Sequence, residues 1–67
     1  MWLSQAMNSS ISKAMEEAAT NGRLSYDAFF KYRENGGDKT YTEWLQAEQE
    51  AIRTEATKQY NDMIAAQ

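Results

Sequence analysis

Asn35-Gly36-Gly37-Asp38-Lys39-Thr40-Tyr41-Thr42-Glu43 (35–43) decides how this chain is divided. The paired glycines stop a helix, because glycine costs a helix interior more backbone entropy than other residues. Thr40 to Glu43 then opens another. The stretch is a capping box, in which the Thr40 side chain and the Glu43 carboxylate satisfy each other's orphan backbone donors. No Pro or Gly follows Thr40. The spacing therefore predicts one helix over 41–65, about 37 Å long at the standard rise. Tyr41, Leu45, Ile52, Ala56, Tyr60 and Met63 fall on one face of it, with Trp44 and Ala51 at the edge. A strict heptad seam would carry Glu48, Gln49 or Gln59, so a bundle helix fits better than a coiled coil.

Upstream of the glycines, a second helix is expected over 26–34. Ser25 is its N-cap and Asp27 favours the positive end of its dipole. Leu24 and Phe29 have the spacing of a hydrophobic staple. Lys31 and Arg33 suit its C-terminal end. A first helix is expected over 2–20, with Leu3, Met7, Ile11, Ala14, Met15 and Ala18 on one face. Asn21-Gly22 ends it, and Asn8-Ser9-Ser10 weakens it by competing for backbone hydrogen bonds.

These segments define an all-α protein: two shorter helices and one long C-terminal helix in a single domain, 1–67. Val and Pro are absent, and no β-branched alternation suggests a strand. At 67 residues the core is small, and small domains usually add a staple. Without Cys or His, neither disulfides nor thiolate or imidazole zinc sites are open to it. A homo-oligomer is the remaining staple, and helix 3 outreaches helix 2 enough to leave apolar surface for one. No run approaches the apolar length of a membrane span, and none reads as a signal peptide. The expected location is cytoplasmic.

Net charge is −3, from 7 basic and 10 acidic residues. The missing His and Cys remove the commonest general base and the strongest nucleophile, so no enzyme is expected. The carboxylates read as solvated helix faces, with Glu50–Arg53, Glu55–Lys58 and Lys58–Asp62 spaced for ion pairs. The 34–38 turn lacks the alternating ligands of a calcium loop, and Asp38 splits any phosphate-binding Gly-Lys-Thr. No cofactor or metal is expected.

The second helix is the most informative stretch. Tyr26, Phe29, Phe30 and Arg33 form one stripe, with Tyr32 beside Phe29. Aromatics and Arg are enriched at interface hot spots. Tyr26, Phe29, Phe30, Tyr32, Arg33 and Trp44 are the candidate partner-binding residues, with Tyr32 and Arg33 expected to be separable from folding. The expected function is a non-catalytic protein–protein interaction module, acting by binding or blocking an unidentified protein partner. In size and style alone the chain resembles accessory proteins of phages and other mobile elements, many of which occupy a host protein's surface. Two alternatives stand behind it. Arg23, Lys31, Arg33 and Lys39 among aromatics suit a nucleic-acid-associated helical protein, although the cationic footprint is thin. A small-ligand binder with a pocket between subunits is the other.

Overall fold

A computed structural model describes residues 5–67. Three helices follow in order: α1 (Gln5–Thr20), α2 (Tyr26–Glu34) and α3 (Tyr41–Ala65). The described residues contain no strand. The second and third helices keep the expected bounds, and α3 is unbroken. Residues 2–4 of the expected first helix lie outside the described residues.

Local chemistry sets the boundaries. The Ser25 hydroxyl accepts from the Ala28 N–H at 3.2 Å and donates to the Gly22 carbonyl at 2.7 Å, fixing the entry to α2. At the exit, Gly36 turns left-handed with φ +94°. The Gly37 N–H reaches the Tyr32 carbonyl at 3.0 Å, and the Gly36 N–H reaches that of Arg33 at 3.1 Å. Those two bonds are a Schellman motif. The α1 end also turns on a glycine, Gly22 at φ +85°, and the Arg23 N–H returns to the Ala18 carbonyl at 3.0 Å. At the α3 start both arms of the capping box form. Glu43 accepts the Thr40 backbone N–H and hydroxyl, each at 3.0 Å. First the backbone bond and then the hydroxyl hold its carboxyl below the ordinary glutamate value. That contribution to stability is present above the ordinary value and lost as pH falls through the lower folded one.

The third helix is the spine, in a body measuring 43 × 23 × 20 Å. The first helix runs antiparallel along it: Ala14 and Ala18 face Ile52 and Ala56, while Ser10 lies near Tyr60 and Met63. Small alanines let the two axes approach closely. The second helix meets only the start of α3, and α1 and α2 do not pack on each other among the described residues. The buried apolar residues described are Ala18, Trp44, Ile52 and Ala56. Trp44 is 6% exposed. It sits at the centre of the buried face, not at its edge, because α2 covers it from the side that helix periodicity alone leaves open.

Trp44, Ile52 and Ala56 line up with Glu48 on one stripe of α3. An acid there is tolerable because Arg23 meets it: Arg23 Nε donates to Glu48 Oε2 at 3.0 Å. The same guanidinium reaches both Glu55 oxygens, at 3.1 and 3.4 Å. The bonds to Glu55 and then Glu48 raise the Arg23 pKa above its ordinary value. Glu55 is thus taken by Arg23 rather than by Lys58, and Lys58 pairs with Asp62 at 2.8 Å. Glu50 and Arg53 form no ion pair. Arg23 therefore ties the α1–α2 connection to two turns of α3. Both pairs are partly exposed, so Arg23→Gln should lower unfolding free energy by about 1 kcal/mol in total. Denaturant titrations should show the difference from wild type shrinking as salt is added.

Candidate functional site

The second helix carries four aromatics in nine residues. Its partner is the first turn of α3. Tyr26 stacks flat on Tyr41, with ring centroids 4.3 Å apart and planes 5° from parallel. Phe29 meets Tyr41 edge-on at 5.4 Å and Trp44 at 5.5 Å. Tyr32 lies 6.5 Å from Trp44. The pairings advance in step along both helices, so α2 crosses the start of α3 instead of folding back along it. Such ring pairs contribute about 0.5–1.5 kcal/mol each beyond the area they bury.

The six candidate residues divide by role. Trp44 is the buried floor and Phe29 the half-buried centre of the cluster. Tyr32 and Arg33 hold the following loop. The Tyr32 hydroxyl accepts the Lys39 N–H at 2.9 Å, and Arg33 Nη1 donates to the Lys39 carbonyl at 3.3 Å. The Tyr32 ring lies so close over Gly37 that an added Cβ would sit inside it. Tyr32 is therefore bound up with folding and not separable from it.

Tyr26 and Phe30 remain outward, 59% and 56% exposed. Their rings lie 6.2 Å apart, and Phe30 also lies 6.0 Å from Phe29. Together they form an aromatic ledge on the outer side of α2, backed by Tyr41. Tyr41 belongs to this cluster, yet helix periodicity assigns it only to the α3 core face. Its position directly after the Thr40 cap, one helix start packed on another, is the signal in the sequence that points to it.

Elsewhere the surface offers little chemistry. An open groove runs along the polar side of α3, flanked by Gln46, Glu50, Arg53, Thr57, Lys58 and Asp62. No group of three or more acidic residues among the described residues is arranged to hold a metal ion. No helix among them is long and apolar enough to cross a membrane. Comparison with known proteins finds no match, whether to a family model, a curated protein or a solved structure.

The fit of Tyr32 over Gly37 makes a quantitative expectation. Gly37→Ala should destabilise the fold by about 1–3 kcal/mol, the usual cost of forcing an extra methyl into a filled space. In a Tyr32→Ala background the same substitution should cost far less, because the two residues share one contact. Equal costs in both backgrounds, read from thermal or denaturant unfolding, would place the strain elsewhere.

Proposed function

We propose that this chain is a non-catalytic protein–protein interaction module that binds, and by binding blocks, a partner protein, in the manner of phage-type accessory or inhibitor proteins. The observation that carries this reading is the ledge of Tyr26 and Phe30. Two large aromatics stand side by side, each more than half exposed, on a helix that stacked rings hold in place. Exposed aromatic surface fixed in advance loses little entropy on binding, and aromatic anchors dominate hot spots. Phe29 and Trp44 support the ledge from beneath, while Tyr32 and Arg33 fix the loop beside it.

Self-association belongs to the same proposal. The radius of gyration is 14.0 Å, against about 11 Å for a compact domain of this length. Met63 and Ile64 stand about half exposed near the end of α3. A homodimer would cover surface that one chain leaves open, and light scattering should give twice the 7.7 kDa chain mass. A monomer at micromolar concentration would remove this part of the proposal. Nucleic acid ranks lower as a partner. Arg23, one of the four cations in the basic stretch, is committed to Glu48 and Glu55, and the chain is net acidic.

The test uses Phe30→Ala, since among the described residues Phe30 makes ring contacts only with Tyr26 and Phe29 of its own helix. Circular dichroism and melting temperature should stay near wild type. Binding to a partner captured by the wild-type chain from host extract should weaken by about 2 kcal/mol or more. Full retention of every captured protein by folded Phe30→Ala would refute the assignment of the ledge.

A further inference from the structure

Of the four asparagines, two are followed by glycine: Asn21-Gly22 and Asn35-Gly36. That dipeptide is the one most open to attack of a backbone nitrogen on the preceding side-chain amide, because glycine has no Cβ to shield its nitrogen. Both asparagines are exposed, and both glycines have positive φ at a helix end. By sequence the two sites are equivalent.

Their hydrogen bonds differ. At the second site the Gly36 N–H is held by the Arg33 carbonyl at 3.1 Å. The Gly37 N–H on Tyr32, and Tyr32 and Arg33 on Lys39, pin the rest of that loop. The nucleophile at position 36 is thus masked in a rigid turn. At the first site the Gly22 N–H donates to no described acceptor. The electrophile is also assisted. Asn21 Oδ1 accepts the Arg23 backbone N–H at 3.0 Å. A donor at that oxygen stabilises the negative charge that develops there when the amide carbon is attacked.

We propose that Asn21 is a site of spontaneous covalent modification, a deamidation in which the Gly22 nitrogen attacks the Asn21 side-chain amide carbon. The Gly22 nitrogen gives its proton to solvent and bonds to that carbon, leaving an oxyanion on Oδ1 that faces the Arg23 N–H. Collapse of this intermediate breaks the bond to Nδ2, which takes a proton from solvent and departs as ammonia. The cyclic imide that remains is opened by water at either carbonyl, giving aspartate or isoaspartate at position 21.

Both products bear on the fold. A carboxylate there stands at the negative end of α1 and one turn after Glu17, and both placements are unfavourable. Isoaspartate also adds a backbone carbon between positions 21 and 22. The Arg23 N–H then loses its register on the Ala18 carbonyl, beside the guanidinium that clasps α3.

The test is ageing of the full chain in mildly alkaline buffer, followed by tryptic digestion and mass spectrometry. Cleavage after Lys13, Arg23, Arg33 and Lys39 puts Asn21 in peptide 14–23 and Asn35 in peptide 34–39. In the folded chain, peptide 14–23 should gain the mass of an amide-to-acid exchange several-fold faster than peptide 34–39. In urea the two rates should converge, and Asn21→Gln should abolish the gain in the first peptide. If peptide 34–39 keeps pace in the folded chain, or peptide 14–23 stays unchanged, the proposal fails.

Discussion

The stripe of α3 that runs through Trp44, Glu48, Ile52 and Ala56 is the surface on which the other elements are assembled. Ile52 and Ala56 receive α1, Trp44 receives α2, and Glu48 between them receives Arg23 from the connection. Among the described residues α1 and α2 each pack on α3 and not on each other. A carboxylate in the middle of that stripe would weaken a bundle helix if left alone. Here it becomes the anchor for the chain crossing from one helix to the next, with the Glu55 contact adding a second point of attachment.

From that spine the aromatic cluster follows. A nine-residue helix is too short to be stable alone in water. Its persistence depends on what it packs against, and among the described residues the helix that α2 meets is α3, through ring contacts on Tyr41 and Trp44. Flat stacking of Tyr26 on Tyr41 and the edge contact of Phe29 supply directional contacts where an aliphatic core is missing. The loop clasp by Tyr32 and Arg33 then fixes the angle between the helices. Tyr26 and Phe30 are left standing out as a consequence of this arrangement, and the functional proposal rests on them.

How much of this was legible in the sequence depends on range. The ends of helices answer to neighbouring residues, so Ser25, Thr40 with Glu43, Gly22 and Gly36 could be read directly. The candidate site was legible as a helix rich in aromatics, but not in its division of labour. Trp44 moved from edge to centre because α2 covers it. Tyr32 and Arg33 proved occupied by Lys39, a contact made only once the loop closes. In the sequence Arg23 stands only among the four cations that suit nucleic acid, and the two acids it meets lie 25 and 32 positions away. Glu50–Arg53 and Glu55–Lys58 had suitable spacing but no pair forms, since spacing permits an ion pair without selecting it.

Stacked rings on the first turn of α3, rather than the helix's own propensity, hold α2 in place. Amide hydrogen exchange on the Tyr41→Ala variant tests it most directly. Protection across 29–34 should collapse toward that of an unfolded segment, while amides of α1 and of 52–62 in α3 keep most of theirs. Unchanged protection across 29–34, with Tyr41 gone, would contradict it.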